Sequence, residues 1–331
     1  MSENPTNPIR WGVLATGKIA TAMVTEARMV EGAQVQAVAS RSLEKAEAFA
    51  ATHTIPKAHG SYGDLVKDPD VDLIYIATPH NSHYELLKLC LNAGKHVLCE
   101  KPLVLNADQA QNCAYLAEEK GVFLMEALWT RFFPAIHQMQ TWIKEGRIGA
   151  VRRIKADFSF KAAFDPKGRL FDPALAGGAL LDLGIYPLAL AVGLLGEPTE
   201  VKGEAVMGET GVDEEDKIFL RFPGAATASI RCGLRETRPV IATIDGDRGR
   251  ITLHERFHHP EKITLEPIGG EAETHEFPCE GNGYHYQIAA VNEAIGQGLT
   301  EHPLMPLRDT IRIARVMDQL RASWGLKYPD E

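Results

Sequence analysis

From Ile9 to Ala127 the chain alternates short apolar runs with stretches of helical period, and that alternation restricts it to very few folds. Ile9 to Ala15 is a near-continuous apolar run, as suits a parallel strand covered on both faces. Thr16-Gly17-Lys18-Ile19-Ala20 then opens a helix to about Met29. Val35 to Arg41 reads as the second strand, followed by a helix from Ser42 to about His53 with Ser42 as its cap. Asp72 to Thr78 is a further strand, and Asn81 to Asn92 a helix ended near Gly94. The strand His96 to Glu100, the helix Asn106 to Lys120 and the strand Val122 to Ala127 complete the series. Such spacing predicts right-handed βαβ units and a parallel sheet.

Past Trp129 the pattern changes. Pro134 to Glu145 reads as a helix, Val151 to Phe160 as a long alternating strand and Gly178 to Leu195 as a helix. Strand-like runs follow at Glu200–Met207, Lys217–Phe222, Ala226–Cys232, Val240–Asp245, Arg250–His254 and Lys262–Pro267. Turn signals such as Pro223-Gly224, Asp245-Gly246-Asp247 and Gly269-Gly270 separate them, as in antiparallel hairpins. Helices at Tyr284–Gly296 and Leu307–Trp324 close the chain. The fold class is therefore α/β: an N-terminal domain with a parallel sheet over 1–128, and a C-terminal α+β domain with a mostly antiparallel sheet over 129–331. A length of 331 residues suits two cores.

Bulk properties exclude several functions. A net charge of -9 argues against general binding to nucleic acid or an anionic membrane. The five cysteines are scattered without CxxC spacing, which points to reduced thiols in the cytoplasm. Met1 to Arg10 is polar with two prolines, so no secretory leader is expected. Ala179 to Gly196 is the most apolar run, but Asp182 inside it favours a buried core helix over a membrane span.

The turn after the first strand aligns as Ala15-Thr16-Gly17-Lys18-Ile19-Ala20, an A-x-G-x-x-A form of the dinucleotide motif G-x-G-x-x-G. Gly17 would admit a pyrophosphate to the amides of the following helix, and Ala20 keeps the small size that helix–strand packing needs. At the end of the second strand an NAD site carries an acid for the ribose hydroxyls. Here Ser40-Arg41-Ser42 stands there with Lys45 one turn on, and Arg41 suits a 2′-phosphate. The expected cofactor is NADP(H).

Two further stretches carry chemistry. Glu100-Lys101-Pro102 ends a buried strand, where open parallel sheets present ligands, and Pro102 restricts Lys101 to an extended conformation. In Gly177-Gly178-Ala179-Leu180-Leu181-Asp182-Leu183-Gly184-Ile185-Tyr186, Asp182 and Tyr186 share one helix face within an apolar run. A tyrosine can donate a proton to a carbonyl, or accept one from an alcohol, once a nearby ammonium lowers its pKa. A core tyrosine with a capping aspartate is the competing reading.

These motifs together resemble the glucose-fructose oxidoreductase / inositol dehydrogenase (Gfo/Idh/MocA) family. Met125-Glu126-Ala127-Leu128-Trp129-Thr130-Arg131-Phe132-Phe133-Pro134 and Glu209-Thr210-Gly211-Val212-Asp213 are similar to its dimeric dihydrodiol dehydrogenase / NADP-dependent D-xylose dehydrogenase branch, and the likeness runs from Arg10 to Leu326-Lys327-Tyr328-Pro329. The resemblance implies a Rossmann domain followed by a large open sheet, and a catalytic pair of Lys101 and Tyr186 supported by Asp182. It further implies a cis Lys101–Pro102 peptide. Thr78, Pro79 and His80 would pass under the cofactor, joined by Glu100, with Trp129 and Arg131 near the nicotinamide or substrate. His83 reads as a cap for the helix after Pro79 and is grouped with this cofactor loop.

The expected reaction is hydride transfer to or from a hydroxyl- or carbonyl-bearing carbon of a sugar, sugar derivative or trans-diol. The competing function is a non-catalytic NADP-sensing regulator on the same fold. His254, His258 and His259 read as solvated or structural, so no metal is expected. Tyr284 and Tyr286 read as packing residues. An open sheet needs a cover, so the second sheet is expected to pair with a copy of itself in a homodimer or a dimer of dimers.

Overall fold

Strand β1 (Ile9–Leu14) is buried at Trp11, Val13 and Leu14, as a central parallel strand must be. The computed structural model describes residues 8–329 and 331; the polar segment 1–7, where most of the leader expectation falls, lies outside them. Among the described residues, fourteen strands and nine α-helices form two compact units.

The first unit comprises residues 8–104, 108–129 and 280–307. With β1 its sheet contains β2 (Ala33–Ala39), β3 (Lys57–His59), β4 (Leu73–Ile76), β5 (His96–Cys99) and β6 (Leu124–Glu126), in the order β3-β2-β1-β4-β5-β6. Every pairing is parallel. The chain moves outward one way through β2 and the other way through β4, so the topological switch point lies between β1 and β4. Ligands of such sheets bind there, beyond the strands' carboxyl ends. The helices are α1 (Lys18–Ala27), α2 (Leu43–Thr52), α3 (Tyr62–Val66), α4 (His83–Asn92) and α5 (Ala107–Lys120). Gly12 is glycine for packing: a Cβ there would come within 2.7 Å of Leu65 and 2.9 Å of Val71.

The second unit comprises residues 105–107, 130–279 and 308–331. It contains α6 (Pro134–Lys144), α7 (Ile185–Leu195), β7 (Val151–Ser159), β8 (Glu200–Met207), β9 (Asp213–Arg221), β10 (Thr227–Gly233), β11 (Ala242–Gly246), β12 (Gly249–Leu253), β13 (Lys262–Pro267) and β14 (Glu273–Glu276). The sheet order is β14-β13-β12-β11-β7-β10-β9-β8, antiparallel except where β7 and β10 run parallel. Ile154, Ala156, Phe158, Ala228 and Ile230 face the core on the side where α7 packs. On the opposite face Lys155, Asp157, Lys217, Ser229 and Arg231 line an open hollow of about 540 Å³. Pro173–Leu195 is apolar and long enough to cross a membrane by composition alone, but 78% of its most apolar window is buried.

Of the last two helices, α8 (Tyr284–Gly296) belongs to the first unit, whereas a single cut at 128/129 assigns it to the second. Its N-terminus is held by Glu26 of α1, whose Oε1 accepts from Asn282 N (2.6 Å) and Asn282 Nδ2 (2.9 Å). Trp11 Nε1 of β1 also donates to Asn292 Oδ1 (3.0 Å). Helix α9 (Leu307–Trp324) is tied into the second unit. There Arg321 donates to the Leu105 carbonyl and Asp318 accepts from Ala107 N, each at 2.8 Å. The sequence reading lacks β3, too short for a period, and β14, a polar edge strand. It also starts β9 late, because the acids Asp213 to Asp216 resemble a turn.

Candidate active site

In the first unit β1 ends at Leu14 and the backbone turns at Ala15 with φ 87°. That is left-handed backbone, which costs an L-residue about 1–2 kcal/mol and is usually left to glycine. An alanine therefore makes the turn's glycine-like bend, anchored by its N–H on the Ala39 carbonyl (3.0 Å). Gly17 caps α1 with extended backbone, and no side chain caps the helix. A Cβ at position 17 would meet nothing within 4 Å. Open space over uncapped helix amides fits an approaching pyrophosphate. Thr16 and Ile19 are half-buried, Lys18 is exposed and Ala20 is fully buried.

At the end of β2, Ser40 is buried and its Oγ accepts from Ser42 N (3.4 Å). Ser42 Oγ caps α2 by accepting from Lys45 N (3.4 Å), so this hydroxyl is engaged locally. Arg41 and Lys45 are exposed. Burial raises the pKa of the Tyr62 phenol, and the Arg41 charge opposes that rise.

After β4, Thr78 is buried and its Oγ1 accepts from Ser82 Oγ (2.8 Å). Pro79 is exposed and His80 is half-buried. His83 departs from its expected roles. It is fully buried as the first residue of α4, with Nδ1 2.9 Å from the Pro102 carbonyl oxygen and Nε2 2.9 Å from that of Thr78. Both ring nitrogens are thus engaged by backbone, so the ring neither caps the helix nor offers a nitrogen to a cofactor. It bridges the loops that follow β4 and β5. Burial is the largest influence on its pKa and lowers it.

Lys101 lies between two anchored neighbours. Glu100 is buried, with Oε1 accepting from the Tyr75 hydroxyl and Oε2 from Lys101 N (3.3 Å). Burial, reinforced by the Glu100 charge, pushes the Tyr75 phenol well above its usual pKa, which keeps it a proton donor. On the other side the Lys101–Pro102 peptide is cis, and Leu103 N donates to Glu126 Oε1 (2.8 Å). Lys101 itself is half-buried. Trp129 is buried against the Tyr284 ring (4.8 Å between centroids), which gives Tyr284 a packing role.

The second unit carries the other candidates. Leu180–Gly184 is a π-helical turn rather than the α-helix expected there, and Ile185 N–H reaches back to the Leu180 carbonyl. Such turns recur at functional sites. Asp182 is buried with Oδ1 2.8 Å from Arg169 Nη1, so its charge has a partner. Tyr186 is buried against Phe158 (5.4 Å) and His258 (5.6 Å). His258 stacks on Phe158 at 4.1 Å and 17°, which makes it part of an aromatic cluster around the phenol rather than a solvated residue. Sequence reasoning named His258 only as solvated or structural and did not single out Phe158, because neither interrupts its local pattern. Arg131 pairs with Asp309 (2.7 Å) and donates to the Ala189 carbonyl (3.1 Å), tying α9 to α7.

Comparison with known proteins agrees with this architecture. Residues 9–128 match the oxidoreductase family with an NAD-binding Rossmann fold, and residues 136–252 match the GFO/IDH/MocA C-terminal domain. The trans-1,2-dihydrobenzene-1,2-diol dehydrogenases of Mus musculus and Homo sapiens are 36% and 34% identical to it, over 98% of this chain and 99% of theirs. Among solved structures, a 3-ketoreductase from Actinomadura kijaniata in complex with NADP and TDP-benzene is similar at 29% identity and TM-score 0.85, covering 96% of this chain and 98% of that one. The aldose-aldose oxidoreductase from Caulobacter crescentus is similar at 25% identity and TM-score 0.87, with the same coverage. The glycine-like turn, the strand order and these matches lead to one conclusion: the chain belongs to the GFO/IDH/MocA family of oxidoreductases, with a Rossmann NAD-binding N-terminal domain.

Proposed function

We propose that this oxidoreductase uses NADP(H) to interconvert a hydroxyl and a carbonyl on a sugar, a sugar derivative or a trans-diol. The observation that carries the reading is Lys101, held through both neighbours by buried groups at the end of β5 while its own side chain is only half-buried. The names of the relatives, which act on dihydrodiols, ketones and aldoses, support the substrate class. The cofactor residues are Ala15 to Ile19 for the pyrophosphate, Ser40 to Ser42 with Lys45 for the 2′-phosphate, and Thr78 to His80 with Glu100 and Trp129 for the remainder.

When bound, the nicotinamide gives or takes the hydride. Tyr186 moves the proton at its hydroxyl, as acid in reduction and as base in oxidation. Lys101 holds the substrate oxygen with its ammonium. Asp182, balanced by Arg169, adds polarity on the same helix, and Phe158 with His258 shield the phenol from water. The cellular cofactor ratio sets the direction.

The test is a cofactor-reduction screen with NADP and NAD against aldoses, anhydro-sugars, inositols and trans-diols. On an active substrate, Lys101→Met and Tyr186→Phe should each lower kcat by about 10²–10⁴-fold while NADP affinity stays near that of the parent. Near-normal turnover in either variant refutes the role assignment. NADP binding without turnover across the panel would instead indicate a nucleotide-sensing regulator.

We also propose self-association through the open face of the second sheet. Charges of both signs around its hollow suit a second copy of the same face.

A further inference from the structure

Three stretches singled out in the sequence meet within the second unit: the Gly177-Gly178 pair, Asp213 at the end of Glu209-Thr210-Gly211-Val212-Asp213, and Tyr328 of the C-terminal tail. Asp213 Oδ2 accepts from Leu180 N at 2.6 Å, and the Tyr328 hydroxyl donates to the Gly177 carbonyl at 2.6 Å. Gly178 passes between them with φ 126°. A Cβ there would collide with Asp213 Oδ1 and come within 3.2 Å of the Tyr328 oxygen. Only glycine fits, because a carboxylate and a phenol grip the backbone from the same side. A third contact braces the far end of the turn, where a Cβ on Gly184 would lie 3.0 Å from Cys232 Sγ.

We propose that Asp213 and Tyr328 are positioning residues that fix the backbone of Gly177 to Leu180, and thereby the π-helical turn that presents Asp182 and Tyr186. This rests on the catalytic reading of those two side chains. External support matters for such a turn, because a π-helical winding is rare and short. Ala179, which precedes the turn, offers no capping side chain, and the Leu180 amide takes its acceptor from Asp213 of β9.

The clamp is itself anchored. Asp213 and Asp216 are fully buried and in direct contact through their carboxyls. Their Oδ1 atoms have no hydrogen-bond partner among the described residues. Burial together with the Asp213 charge pushes Asp216 well above the usual carboxylate range, which favours its protonated form. Cys232 Sγ donates to Asp216 Oδ2 (3.1 Å). Tyr328 lies under the Arg321 guanidinium (5.2 Å), which also pairs with Glu331 (2.6 Å), so the tail is pinned where it grips.

The experiment uses the full-length protein with three substitutions, Tyr328→Phe, Asp213→Leu and Asp213→Asn, and two readouts. Hydrogen exchange reports on peptides spanning 177–186, and kinetics on kcat, KM and NADP affinity with the substrate found by the screen. Tyr328→Phe and Asp213→Leu should each speed exchange in that segment and lower kcat by about tenfold or more, the equivalent of one lost hydrogen bond, with NADP affinity unchanged. Asp213→Asn keeps an acceptor for Leu180 N and should stay within about threefold of the parent. Unchanged exchange in Tyr328→Phe overturns the clamp. Faster exchange with parental kcat overturns its role in turnover while leaving the proposed reaction standing. Should Asp213→Leu fail to fold, Tyr328→Phe decides alone. If the parent turns nothing over, the proposed reaction fails and exchange still judges the clamp.

Discussion

Ala15 holds a backbone angle that glycine adopts freely, and the cost of about 1–2 kcal/mol is borne where β1 delivers the chain to the switch point. The remainder of the turn is open and uncapped. In the proposed reading, cofactor choice rests at the other end of the nucleotide, on Arg41, which stands exposed beyond β2. Replacing Arg41 by Asp removes a cation and restores the acid of an NAD site. Binding titrations should show NADP affinity falling by about tenfold or more, with NAD unchanged or improved. A variant that still prefers NADP would remove Arg41 from the site.

At the scale of elements, Glu26 joins α1 to α8. Its buried carboxylate accepts from Asn282 N, Asn282 Nδ2 and His285 N at the start of α8, where negative charge is favoured by the helix dipole. Gly281 approaches with φ 72°, its would-be Cβ 2.9 Å from Glu26 Oε1. Glu26→Ala leaves several amides without an acceptor and should cost about 2–4 kcal/mol in urea unfolding. A loss below about 0.5 kcal/mol, the range of an ordinary surface change, would mean that α8 is held by packing alone.

For the whole molecule, the raised pKa of Asp216 has a consequence for pH. The folded chain keeps Asp216 protonated, whereas the unfolded chain releases that proton above an ordinary aspartate pKa near 3.8. Folding then takes up a proton, so this group's contribution to stability falls as pH rises from about 4 through neutrality, by up to about 1.4 kcal/mol per pH unit. Asp216→Asn mimics the protonated acid. Its stability relative to the parent should grow over that range, as read from denaturation midpoints at several pH values. A difference independent of pH would show that the pair holds no proton. The other whole-molecule proposal is self-association. Lys217→Glu with Arg231→Glu reverses two charges on the open sheet face and should shift sedimentation from a dimer towards a monomer. An unchanged oligomer would place the interface elsewhere.

The amino-acid sequence alone determined the parallel α/β first domain, the position of the dinucleotide turn, the lysine closing β5 and the apolar stretch carrying Asp182 and Tyr186. Each is written in a local pattern: an unbroken apolar run, a small residue at a tight turn, a charge at a strand end. Tertiary structure alone decided that α8 returns to the first unit, since Glu26 and Asn282 lie far apart in the chain. It also decided that His83 spends both ring nitrogens on carbonyls, that Arg131 is a tie to α9, and that His258 and Phe158 enclose Tyr186. The physical reason is the same throughout. Periodicity reports which face of an element is buried, but the partner of a buried polar group is chosen by long-range packing, which leaves no mark on the residues beside it in the chain.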